Sequence, residues 1–233
     1  MEYVTLSNGV KMPILGYGVY QVTKDECKRC VLDALKAGYR AIDTAQSYFN
    51  EEEVGEAIQE SGIPREEIFL TTKVWVEHYS YEEAKKSVEE SMRKLKTDYL
   101  DLVLLHQPFG DAYGAYRALE EMYDEGRGGT FDNPVIAKIA EKYQKTSTQV
   151  MLRWHIQRGI VVIPKSTHYE RMVENFNVFD FKLSEEDMKA IAELDKAESA
   201  FFSHQDPNMV EWFVKMVEER KTRHDSSKEK KNW

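Results

Sequence analysis

The sequence predicts an α/β fold of successive parallel βα units behind an N-terminal β-hairpin, and three observations carry that prediction. Short apolar runs recur along the first half of the chain, each followed by a stretch with helical spacing. The runs are short and largely apolar, the pattern of strands covered on both faces. A stretch that alternates instead, YVTLSNGVKMPIL, surrounds Asn8-Gly9 at the start, where it reads as a hairpin.

The units follow in order. GYGVYQV is a strand, and KDECKRCVLDALKAG is a helix that stops at Gly38, a residue suited to the left-handed position after a helix. AIDTA is a strand before the helix EEEVGEAIQESG. IFLTTKV is a strand before YEEAKKSVEESMRKL, whose apolar residues recur at three and four. LDLVLLH is a strand before GAYRALEEMYDEG. The alternation then stops: a loop at 127–134 is followed by two helical stretches, VIAKIAEKYQ and TSTQVMLRWHIQRG, with no strand between them. A last buried strand, IVVIPKS, precedes a helical region ending near DMKAIAELDK. About five parallel strands result, where a closed (β/α)8 TIM barrel requires eight and typically about 250 residues. The expectation is therefore an incomplete barrel of that type, one domain over 1–220, followed by a disordered polar tail at 221–233.

Composition narrows the function. With 42% hydrophobic and 31% charged residues, the 233-residue chain can build a core and a solvated surface. A net charge of −9 argues against general nucleic-acid binding, because phosphate backbones would be repelled. No apolar run is long enough to span a bilayer, and the first residues lack a basic segment followed by an apolar one. We expect a cytoplasmic protein with no membrane partner. Cys27 and Cys30, one helical turn apart with no second cysteine pair, read as small core residues rather than a zinc half-site, and no metal is expected.

In parallel α/β folds, ligands gather at the carboxyl ends of the strands. Three consecutive predicted strands end in ionisable residues, Asp43, Lys73 and His106, and Tyr48 follows Asp43 in the next loop. Each has an ordinary reading alone: a cap, a solvated tip, a hydrogen-bonded core histidine, a packing ring. One per unit, at neighbouring strand ends, they would share one mouth. Reduction of a carbonyl by hydride leaves negative charge on oxygen, which needs a proton donor. A phenol titrates near 10, and an ammonium beside it would stabilise the phenolate; a shift of two units corresponds to roughly 2.7 kcal/mol. Asp43 would keep Lys73 charged, and His106 would orient the substrate oxygen.

The segment GYRAIDTAQSYFNEEEVG (38–55) resembles the signature of the aldo-keto reductases, and the chain is similar to the bacterial 2,5-diketo-gluconate reductase-like members. The resemblance places Asp43, Tyr48, Lys73 (in TTKVW) and His106 (in LLHQP) on the family's catalytic residues. IPKSTHYERMVEN (163–175) resembles the segment that grips the 2′-phosphate of NADPH, which implies binding by Lys165, Ser166, Thr167 and Arg171, with Glu174 and Asn175 near the adenine. Gly18 and Val19 would pass close to the cofactor, Asp43 would also adjoin it, and Tyr20 and Trp75 would line the substrate pocket with His106. No G-x-G-x-x-G follows any strand, so a Rossmann-type site has no support.

The resemblance also implies a loss. The family's fifth to seventh βα units, with a Ser-Asn pair and a stacking ring for the nicotinamide, have no counterpart, and the join falls near 127–131. The expected function is NADPH-dependent reduction of aldehydes or ketones to alcohols; the alternative is a catalytically impaired NADPH-binding or interaction protein derived from that enzyme. The family implies a monomer, and pairing of open barrel edges would give an oligomer. The aromatic segment 197–213, which includes His204, would cover the pocket mouth.

Overall fold

The computed structural model describes residues 1–78, 81–106 and 133–194. Strands β1 (Tyr3–Thr5) and β2 (Lys11–Pro13) form the predicted antiparallel hairpin, with Val4 opposite Met12. Its loop turns at Gly9, whose φ of 85° suits glycine, and Asn8 Oδ1 accepts from the Val10 amide at 3.1 Å. Four strands then build a parallel sheet: β3 (Tyr17–Gly18), β4 (Ala41–Asp43), β5 (Phe69–Val74) and β6 (Leu102–Leu105), neighbours in chain order. All six residues of β5 are buried, as a strand between two packed layers requires.

The helices between them are amphipathic at the predicted spacing. Helix α1 (Lys24–Ala37) buries Cys27, Cys30, Val31, Ala34 and Leu35 and ends at Gly38, where φ is 112°. A Cβ there would also lie 2.9 Å from the Phe176 ring, so a larger residue would have to displace that ring as well as adopt a left-handed backbone. Helix α2 (Glu51–Glu60) packs on α1, and α3 (Tyr81–Lys94) follows β5. After β6 the described chain resumes with α4 (Pro134–Tyr143), capped by Asn133 with proline in the first turn. Next comes α5 (Ser147–Gln157), which opens with a Thr146/Gln149 capping box. Helices α6 (Tyr169–Phe176) and α7 (Glu185–Ala192) complete the described part.

The chain is thus α/β, of the incomplete (β/α)8-barrel type. The strand predicted at 160–166 takes a reduced form: an isolated parallel bridge between Leu15 and Val162, with Val162 donating to Ile14 O at 2.9 Å and Gly16 donating to Val162 O at 2.9 Å. Pro164 has no amide hydrogen with which to extend the ladder towards β3, although its carbonyl still accepts from the Gly18 amide, and this limits the pairing. This segment flanks β3, so the described sheet runs from residue 162 at one edge to β6 at the other. The largest core joins α1, α2 and β3–β5 to Leu152, Ile156 and Met172, and a second links α4, α5 and α7 through Ile136, Ile139, Val150 and Ile191. Both cysteines lie in the first core, unpaired and fully buried, and burial pushes both thiols up. The predicted helix GAYRALEEMYDEG, the join near 127–131, the segment 197–213 and the tail lie outside the described residues.

Candidate active site

Parallel pairing brings the strand ends together. Gly18 is opposite Asp43, Asp43 is opposite Thr71, and Lys73 is opposite Leu104, so β4, β5 and β6 deliver their terminal polar residues to one rim. Lys73 Nζ lies 2.5 Å from Asp43 Oδ1, 3.1 Å from Thr44 O and 3.3 Å from Tyr48 Oη. Asp43 and Lys73 are only 5% and 7% exposed, so the contact is a buried ion pair rather than a surface one. Burial pushes the Asp43 carboxyl above its ordinary value, against the opposing pull of the Lys73 ammonium. The ammonium also sits 4.9 Å from the centre of the Tyr48 ring, which favours a cation near that phenol.

His106 follows β6 directly, and its amide donates to Val74 O at 2.8 Å, which carries the pairing of β5 and β6 to the rim. Its ring stands edge-on to Tyr48 at 5.6 Å and to Trp75 at 5.2 Å, and Tyr20 packs on Tyr48 at 5.1 Å. A phenol, an ammonium, a carboxylate, an imidazole and two further aromatic rings therefore converge. Among the described residues no cluster of His, Cys, Asp or Glu has the composition of a metal site.

Several residues that support this rim were not singled out in the sequence. Gln46 Oε1 accepts from the Trp75 amide at 2.8 Å while its Nε2 donates to Ser91 Oγ, which clamps the short 3-10 turn Gln46–Tyr48 onto β5. Buried Asn50 donates to Val19 O and Val22 O and accepts from Thr44 Oγ1, tying the loop after β3 to the turn that carries Tyr48. Glu51 accepts from Thr72 Oγ1 at 2.7 Å; burial raises its carboxyl, opposed by hydrogen bonds from Thr72 and Ser91. Their signal was in the text: DTAQSYFNE crowds polar residues directly behind a buried strand, where side chains must find partners inside the fold.

The second group of predicted residues lies beyond the bridge at Val162. Gly18 donates to Pro164 O at 3.3 Å, and a Cβ on Gly18 would meet Ile163 at 3.2 Å, so β3 and this segment approach closely. Val19 is fully buried and packs into the core, with its amide donating to Asp43 O. Ser166 is buried; its carbonyl accepts from Tyr17 Oη at 2.5 Å and its Oγ accepts from the His168 amide. Lys165 and Thr167 are half-buried and Arg171 is exposed, in the first turn of α6. This donor set, two cations with hydroxyls at a helix start, suits a phosphate. Glu174 accepts from Thr146 Oγ1 at 2.8 Å, and Asn175 is buried.

Comparison with known proteins follows the same outline. The model for the aldo/keto reductase family matches residues 9–128 and 132–196. Glyoxal reductase of Bacillus subtilis (strain 168) is 38% identical, with 84% of this chain and 94% of that protein covered. An alignment of 259 positions that uses only 84% of a 233-residue chain must pass over parts of the relative with no counterpart here. The crystal structure of a putative 2,5-diketo-D-gluconic acid reductase B superposes with a TM-score of 0.78 at 33% identity, covering 88% of this chain and 95% of that one. A mutant of Gox0644 solved in complex with NADPH gives 0.76 at 30% identity, covering 87% and 97%.

Proposed function

The chain belongs to the aldo/keto reductase family, and from that premise we propose that it reduces aldehydes or ketones to alcohols, with Tyr48 as the general acid. The observation that supports this most is the chain of contacts Asp43–Lys73–Tyr48, at 2.5 and 3.3 Å, beside the His106 ring. NADPH, when bound, supplies the hydride to the carbonyl carbon. Lys165, Ser166, Thr167 and Arg171 would hold its phosphate, with Gly18, Val19, Asp43, Glu174 and Asn175 along the remainder. The phosphate-suited donor set and the NADPH complex of a structural relative support that assignment.

The residues of the chain divide the work on the substrate. Tyr48 Oη gives its proton to the carbonyl oxygen as charge develops there. Lys73 favours the phenolate that remains, and Asp43 holds the ammonium in place. Both effects grow as water is excluded, because charges interact more strongly in a medium of low dielectric. His106 orients the oxygen, and Tyr20 and Trp75 form apolar walls for a small carbonyl compound, a class to which the name of the Bacillus relative also points. Tyr48→Phe should lower turnover about 10²- to 10⁴-fold and leave NADPH quenching of tryptophan fluorescence intact. Full turnover by that variant would end the assignment.

The interrupted family match favours one second reading, a protein that binds NADPH without turnover. A loosely held nicotinamide alone can cost about 100-fold in rate. Fluorescence quenching with no loss of NADPH absorbance across a carbonyl panel would select it.

A further inference from the structure

We propose that Ser47 is a positioning residue that holds His106 as the tautomer protonated on Nε2. Ser47 Oγ lies 3.1 Å from His106 Nδ1, and the serine is 6% exposed, in the 3-10 turn one residue before Tyr48. This contact is the only hydrogen bond of the Ser47 hydroxyl among the described residues, so the hydroxyl proton is available to the imidazole. A neutral imidazole carries one N–H. If Ser47 donates to Nδ1, the ring proton must sit on Nε2, where it can be given as a hydrogen bond to a carbonyl oxygen. If the direction were reversed, Nε2 would present a lone pair, which repels that oxygen. The turn itself is clamped by Gln46 to Trp75 and Ser91, and the His106 ring is flanked edge-on by Tyr48 and Trp75, so the contact sits in a fixed frame. One short turn would thus supply both the acid and the group that sets the histidine's hydrogen-bonding role. The catalytic consequence rests on the carbonyl-reductase reading above; the tautomer does not.

The test uses both links. In ¹⁵N-labelled protein in mildly alkaline buffer, with the His106 signals identified by their loss in His106→Gln, Nε2 should carry the proton and Nδ1 should be the acceptor. Ser47→Ala should shift the ring towards the Nδ1–H form and lower kcat by about three- to ten-fold, the loss of one neutral hydrogen bond, with a smaller change in KM. Ser47→Thr, which keeps the hydroxyl, should restore both. A wild-type ring protonated on Nδ1, or a Ser47→Ala protein with unchanged tautomer and unchanged kcat, would overturn the proposal. Absence of turnover in the wild type alongside an Nε2–H ring would sink the reductase reading and leave the Ser47 assignment standing.

Discussion

At the scale of single residues, the described part of the fold carries one histidine outside the rim whose environment is tuned by burial. His155, on α5, is 8% exposed, and its Nδ1 is buried with no hydrogen-bond partner. Burial, reinforced by the Arg158 cation, lowers its pKa from 6.5 to about 4. The folded protein therefore keeps the ring neutral between those values, whereas the unfolded chain binds a proton there. Stability is fully present above pH 6.5 and declines as the pH falls towards 4, by about 2–4 kcal/mol across the window. His155→Leu should remove this component, so urea denaturation of the two proteins at several pH values should give stability differences that change with pH. Parallel pH profiles would contradict the assignment. The rim was legible at this scale as residue types, since Asp43, Lys73 and His106 each close an apolar run. The partners of those residues were not, because Gln46 reaches Trp75 and Ser91 only after two strands, β4 and β5, and the helix α3 have docked.

At the scale of elements, the contact between α2 and α3 is the tightest approach at any glycine among the described residues. A Cβ on Gly55 would lie 2.6 Å from Leu95 C and Lys94 O, backbone atoms that cannot step aside as a side chain can. Gly55→Ala gains helix propensity and still should destabilise the protein by about 1–3 kcal/mol, because overpacking outweighs the propensity gain. A thermal melt at or above the wild-type temperature would show that α3 can move away. The predicted helix limits were close where a stop was chemical, as at Gly38, and the strand limits were looser. GYGVYQV reduces to Tyr17–Gly18 and IVVIPKS to one bridge, since ladder length depends on neighbours that a run of apolar residues does not specify.

At the scale of the whole molecule, β6 is the terminal strand of the described sheet. On it Val103 and Leu105 are 40% and 59% exposed, although they occupy a run that reads as doubly buried. In a barrel of this type another strand would follow β6, and the family match is interrupted later in the chain, between residues 128 and 132. An exposed apolar strand at a sheet edge tends to pair with another chain. Concentration-dependent association should be detectable by light scattering, and Leu105→Lys should suppress it. A wild-type protein that stays monomeric at high concentration would remove this edge from consideration.

The order of elements, the hairpin at Asn8-Gly9, the helix stop at Gly38 and the placement of ionisable residues at successive strand ends were all determined by the sequence itself. Each is a local property, set by the period of apolar residues or by the backbone freedom of one residue. Only the tertiary structure decided that Tyr17 hydrogen-bonds Ser166 across 149 residues, that Asn50 ties two loops together, and that Ser47 meets His106. Those contacts follow from strand register and helix docking. Register and docking arise from packing the whole core at once, so no local stretch of the chain encodes them.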